Sequence, residues 1–322
     1  MSHNLEQRDG QASMFYVGNT VPWHQLGRRL DKPATAAEAL EEARLNYTVV
    51  KKPLKAIISG RHYADVPGSF ATVRIDTNVV LGVVGSRYEP VQNKDAFNFF
   101  DPLVDRSEAI YHTAGVLGRG EKIWLLAKLP DYIRVGKKAD PIEKFVLIYN
   151  SHDGSSVVRT KLTPIRVVCN NTLSTALSGV EQEVRIRHTP SATEKLQEAH
   201  KLLGLTNQLY TQLDYIFNRM ALRKVSGQQL VDYVKTLVPD NPEAENKTRT
   251  ENIRNQILYL HDDIPEAAMH RGTLFGLVNA TSEYCDHNGD QKDPSKQLRS
   301  IWFGGSGEQL KLRAFKLAES ML

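Results

Sequence analysis

The chain has 322 residues, 41% hydrophobic and 24% charged, with a formal net charge of +4. This is close to the globular average and argues against a disordered chain; the length suits one large domain or two. Two cysteines, Cys169 and Cys285, exclude a disulfide scaffold and a four-cysteine zinc site and suit a reducing compartment. No apolar run approaches the ~18 residues of a membrane-spanning helix, and residues 1–11 lack the apolar core of a signal peptide, so the expected location is cytoplasmic, with no membrane partner.

In chain order, residues 1–20 read as a flexible tail, and Val21-Pro22-Trp23-His24-Gln25-Leu26-Gly27 begins the ordered chain. Residues 35–44 form a predicted helix: Thr35 caps it, Glu38 completes a capping box, and Ala39, Leu40 and Ala43 make its apolar side. Residues 47–58 are β-rich, and Pro53 there signals an edge strand or a bend. Residues 70–75 and 79–84 read as strands around Asp76-Thr77-Asn78. Residues 94–104 read as a helix with Ala96, Phe97, Phe100 and Leu103 on one side. From residue 110 the pattern is strongly β. Strands are expected at 110–117, 122–129, 144–149 and 156–162, with turns at Gly118-Arg119-Gly120 and His152-Asp153-Gly154. They make an antiparallel meander. Residues 167–177 pass from a β-branched run into a helix, and in 184–188 Arg185 and Arg187 share one strand face.

Beyond Pro190 the chain turns helical. Ser191 and Glu194 open a long helix to about residue 223, with a stripe that includes Leu209, Leu213, Phe217 and Met220. Further helices are expected at 228–237, 250–260, 273–285 and 309–322, with a polar loop at 286–297. The fold class is therefore α+β: a flexible tail (1–20), a β-rich domain (21–190) and a helical region (191–322).

The charge is uneven. Residues 115–190 carry 12 Lys/Arg against seven Asp/Glu, whereas residues 1–114 balance at 13 each. A local basic excess inside a folded region is the footprint of a polyanion binder, although a solvated sheet face has the same composition. Arg119, Lys122, Lys128, Arg159, Lys161, Arg166, Arg185 and Arg187 fall on strands and turns of one sheet. The pairs Arg159/Lys161 and Arg185/Arg187, two residues apart, can each face one side and track a phosphate backbone. Tyr111, Trp124 and Tyr132 are candidates for base stacking, with Trp124 equally suited to the core.

Other motifs are weaker. There is no phosphate-binding loop of the GxxxxGK[ST] type. Gly304-Gly305-Ser306-Gly307 leads into a helix and can present N–H groups to a phosphate or serve as a flexible lead-in. Glu283 and His287 have i, i+4 spacing, to which His24 would add a third metal ligand, but capping or hydrogen bonding explains them as well. Cys169 needs a base nearby to be a nucleophile and otherwise reads as a small buried residue. No catalytic, metal or cofactor site is assigned.

Three ordered segments resemble a known family. They are Pro22-Trp23-His24-Gln25-Leu26-Gly27; His152-Asp153-Gly154-Ser155 followed by Pro164-Ile165-Arg166-Val167-Val168-Cys169-Asn170-Asn171-Thr172-Leu173; and Asn279-Ala280-Thr281-Ser282-Glu283-Tyr284-Cys285-Asp286-His287 with Trp302-Phe303-Gly304. The chain is similar in these to the phage/plasmid-like family built on domain of unknown function nine-thirty-two. That resemblance implies work on mobile DNA or against host defence and supplies no catalytic residues. In outline, the meander followed by a helix is also similar to the RecT and Rad-fifty-two-like single-strand annealing proteins, which assemble into rings or filaments. The expected function is single-stranded DNA binding and annealing in recombination or replication, by a homo-oligomer. Phosphate contacts are expected from Arg119, Lys122, Arg159, Lys161, Arg166, Arg185 and Arg187. An enzyme with its site near Cys169 or Glu283/His287, and a protein that blocks a host factor, are the alternatives.

Overall fold

The β signal from residue 110 onward becomes long strands in the computed structural model of the chain. It describes residues 5–18, 27–98, 100–101, 104, 109–166, 171–172, 183–192, 194–195, 200–240, 248–264, 268–287, 300 and 304–322. The chain has mixed α and β content, with strands mostly in the N-terminal two-thirds and helices at the C-terminus. It groups into two compact units. The first takes Met1–Pro130, Val146–Lys161 and Glu183–Gly204; the second takes Asp131–Phe145, Leu162–Gln182 and Leu205–Leu322. The boundary expected at residue 190 lies inside the third segment of the first unit.

In the first unit, strands β1 (Gln7–Arg8) and β2 (Gln11–Ala12) form a small ribbon, followed by β3 (Met14–Val17) and β4 (Arg28–Leu30). All four residues of β3 are buried, so residues 7–17, read from the sequence as tail, are ordered. The run Met14-Phe15-Tyr16-Val17 has apolar side chains for both faces of a covered strand and so lacks the alternation of a half-exposed one. Helix α1 (Ala36–Glu42) starts at the expected capping box: Thr35 N–H donates to Glu38 Oε2 at 2.8 Å and Glu38 N–H donates to Thr35 Oγ1 at 3.3 Å.

A three-stranded antiparallel sheet follows: β5 (Val49–Ser59), β6 (His62–Arg74) and β7 (Val79–Gly85), with β6 in the middle. Pro53 lies on the edge strand β5, where its missing N–H costs no ladder bond, and the register shifts between Pro53 and Lys55. Helix α2 (Asn93–Asn98) covers the start of the expected 94–104, of which residues 99, 102 and 103 lie outside the described residues. The strands β8 (Ile110–Leu117), β9 (Lys122–Val135), β10 (Asp140–Ser151), β11 (Val158–Leu162) and β14 (Glu183–Ile186) give the first unit its large sheet. Its order is β4-β3-β8-β9-β10-β11-β14. The expected meander is thus present, with β3 inserted beside β8.

The second unit receives residues 131–135 of β9 and 140–145 of β10, on which β12 (Ile165–Arg166) and then β13 (Asn171–Thr172) pair. Among the described residues it has five helices: α3 (His200–Leu222, from residue 205), α4 (Gln228–Leu237), α5 (Thr248–Asp262), α6 (Leu274–His287) and α7 (Ser306–Ser320). The stripe Leu209, Leu213, Phe217, Met220 of α3 is buried as expected. Phe217 meets Phe275 at 5.3 Å and Phe315 at 6.1 Å between ring centroids. Helix α6 packs against α5 and α7 and is buried at 11 of its 14 positions. Three of its polar residues donate to their own helix: Asn279, Thr281 and Ser282 to the carbonyls of Phe275, Leu277 and Val278. Among the described residues, no helix is long and apolar enough to cross a membrane.

Candidate nucleic-acid interface

Strands β11 and β14 pair antiparallel, with Arg159 opposite Arg185 and Lys161 opposite Glu183. Val158, Thr160, Leu162 and Ile186 point inward and are buried. The alternation then turns Arg159, Lys161, Glu183, Arg185 and Arg187 to the other face. Same-face neighbours on a strand are ~6.6 Å apart and facing residues across the pair ~5 Å apart. Four cations and one carboxylate therefore share a small area. Glu183 holds two of the cations: its carboxylate is 3.5 Å from the Arg159 guanidinium and 2.8 Å from that of Arg185. Arg185 remains 62% exposed, and Arg187 is exposed.

The other sequence candidates lie on other strands and turns. Arg119 sits in the turn after β8, bonded to Glu121, and its carbonyl accepts from Arg74 at 2.9 Å. Lys122 opens β9 and lies 3.8 Å from Asp153. Lys128 is on β9. Arg166 lies on β12 in the second unit, and its side chain is outside the described residues. Tyr111 and Trp124 are core residues, 0% and 2% exposed. Trp124 faces Gly115 across the β8–β9 ladder and fills the space a side chain there would take. These two rings are not available to bases. Tyr132, 43% exposed, belongs to the second unit.

The end of β14 is anchored by aromatic packing. His188 is buried and stacks on Tyr88 at 4.6 Å with an interplanar angle of 17°. Its carbonyl accepts from Glu89 N–H at 3.1 Å, and Glu89 bonds Lys51 Nζ at 2.7 Å at the root of β5. Burial depresses the His188 imidazole to about 4. His152, wholly buried, is pushed down to about 3, by burial first and then by His188. Its Nε2 shares a 2.8 Å hydrogen bond with Asn93 Oδ1. The His152-Asp153-Gly154-Ser155 segment is a structural turn. Asp153 accepts from the Ser155 N–H at 2.9 Å and from the Ser151 hydroxyl, and these contacts with Lys122 hold its carboxyl below the usual range.

The interior also holds charge the sequence did not announce. Arg74 is fully buried, lies 3.8 Å over the Tyr47 ring, and pairs with Glu6 and Asp76. In the second unit Lys311 bonds Asp286 at 2.7 Å and His270 bonds Asp140 at 2.9 Å, all four buried. Asp76 is two residues from Arg74, but the pairs Glu6–Arg74, Asp286–Lys311 and Asp140–His270 join residues far apart along the chain, which no local spacing could have paired.

The alternative chemical sites gain no geometry. Cys169 and His24 lie outside the described residues. Among the described residues no group of three His, Cys, Asp or Glu side chains is placed to hold a metal ion. Cys285 is buried, which pushes its thiol up to about 12. At the Gly304–Gly307 lead-in, Gly304 N–H donates to Glu308 at 2.6 Å and Gly307 N–H to Ser300 at 2.9 Å. The chain thus supplies its own acceptors there.

A family model described as Domain of unknown function (DUF932) matches residues 80–302. No curated protein and no solved structure matches the chain.

Proposed function

We propose that this chain, which belongs to the family of domain of unknown function DUF932, binds single-stranded nucleic acid along the β11–β14 face. Its work would be strand annealing in the recombination or replication of a phage or plasmid, in the host cytoplasm and as a homo-oligomer. The observation that carries the reading is the cross-strand cluster of Arg159, Lys161 and Arg185 on one face of two paired strands, with the exposed Arg187 one residue past the end of β14. Such a cluster neutralises consecutive phosphates and releases their counterions. A single strand is also flexible enough to follow a twisted sheet face, whereas a duplex with a persistence length of ~150 base pairs must be bent to do so.

Replacing Arg159 and Lys161 together by Ala tests the face. For a single strand each phosphate contact contributes ~0.7 to the slope of log K against log salt. The double variant is expected to bind an oligothymidylate more weakly at low salt, with a slope shallower by ~1.4. Unchanged affinity and slope would remove these residues from the interface.

A further inference from the structure

The root of β5 and the end of β14 meet through Glu89, which bonds Lys51 on one side and the His188 carbonyl on the other. From that root the hairpin of β5 and β6 leaves its sheet. Strand β7 covers β6 from Ser69 to Arg74. Beyond it, Lys55, Ala56, Ile57 and Ser59 pair with Asp65, Ala64, Tyr63 and His62 as a two-stranded ribbon. Residues 53–59 give it a reach of ~20 Å. Among the described residues no further strand pairs with this part, and most of its side chains are exposed, a geometry only marginally stable by itself in water.

The composition of the ribbon does not suit bare solvent. Ile57, Ile58 and Tyr63 are 70%, 66% and 60% exposed. Ile57 and Tyr63 are direct cross-strand partners, so their side chains form one apolar and aromatic patch near the tip. Lys55 and Arg61 lie beside it and Lys52 lies farther back on β5, opposite Ala71, against one carboxylate, Asp65, which is 3.6 Å from Lys55. An excess of cations around an exposed aromatic ring is complementary to a nucleobase on its phosphate backbone. A second copy of the chain meeting ribbon to ribbon would bring like charges together.

We infer that the β5–β6 ribbon is a second contact for the single strand held on the β11–β14 face, in which the Ile57–Tyr63 patch takes the bases and Lys52, Lys55 and Arg61 the flanking phosphates. The inference rests on the nucleic-acid reading and adds to it a base-contacting element. The ribbon works through stacking, so it depends on the presence of bases and not on their identity.

The test compares the full chain with the Ile57→Ala/Tyr63→Ala variant. Each binds an oligothymidylate and an abasic strand of the same length at one salt concentration. Both substituted side chains are exposed, and the thermal unfolding midpoint of the variant confirms its folding. The variant is expected to lose about 5- to 150-fold in affinity for the oligothymidylate, the range of one base stack, and to bind the abasic strand as the full chain does. In the unaltered protein, a strand carrying iodouracil is expected to photocrosslink within residues 55–65. Equal binding of the oligothymidylate by both proteins, or a crosslink map without the ribbon, would overturn the inference and leave the β11–β14 face standing. Failure of the unaltered protein to bind either strand would overturn the nucleic-acid reading and this inference with it. Loss of self-association by the variant, with binding unchanged, would assign the ribbon to a second copy instead.

Discussion

His188 and His152 show what single buried side chains contribute. Neither lies on the cationic face, yet both fix the chain that carries it: His188 through its stack on Tyr88, and His152 through Asn93. Their imidazoles are held neutral, at about 4 and about 3, and burial also lowers His112 to about 4, with Lys128 adding to the effect. In the unfolded chain such rings take a proton near 6.5. Between about 6.5 and about 4 the unfolded state therefore binds more protons, and stability falls as pH drops through that window. The lowered carboxyls of Asp76 and Asp153 act only below it. The denaturant midpoint at pH 5 is expected to lie below that at pH 7; equal midpoints would contradict the buried neutral rings. Glu183 matters in another way. It sits among the cations and lowers the net charge of the face to three, so it sets the upper limit on counterion release.

At the scale of elements, local rules were legible and tertiary ones were not. The capping box of Thr35 and Glu38, the edge position of Pro53, the strand of 110–117 and the helix of 228–237 follow from neighbours within a few residues, and the structure has each of them. The four buried residues of β3 stand where a tail was expected, and the exposed Ile57 and Ile58 reverse the usual reading of apolar residues. What decides them is whether a neighbouring strand covers the position, and that neighbour is remote in sequence. The shared face of Arg159, Lys161, Arg185 and Arg187 was half legible. Period-two spacing placed each pair, and only the pairing of β11 with β14 joined the pairs. Trp124 and Tyr111 show the limit: aromatic residues on a basic sheet look like stacking platforms until the core claims them. The fit of Trp124 over Gly115 is testable. A Cβ at Gly115 would lie 2.3 Å from the indole ring, so Gly115→Ala is expected to destabilise the first unit by about 1–3 kcal/mol. Urea titration measures this, and an unchanged midpoint would mean the indole moves freely.

At the scale of the molecule, the segment with the basic excess is shared between two compact units. Arg134, Lys137 and Lys138 belong to the second unit, whereas Arg159, Lys161, Arg185 and Arg187 belong to the first. The proposed binding face rests on four cations and a carboxylate of the first unit alone. The motifs behind the family resemblance also divide by role: His152-Asp153-Gly154-Ser155 is a bonded turn and Asn279-Ala280-Thr281-Ser282 the interior of a buried helix. Both serve packing, which is why they identify the family without naming an activity. The most direct measurement is fluorescence anisotropy of a labelled oligothymidylate with the full chain across a salt series. The three net charges of the face alone give an expected slope of log K against log salt of about −2, and phosphate contacts by the ribbon would steepen it to about −4. No binding at low salt, or a slope near zero, would contradict the account.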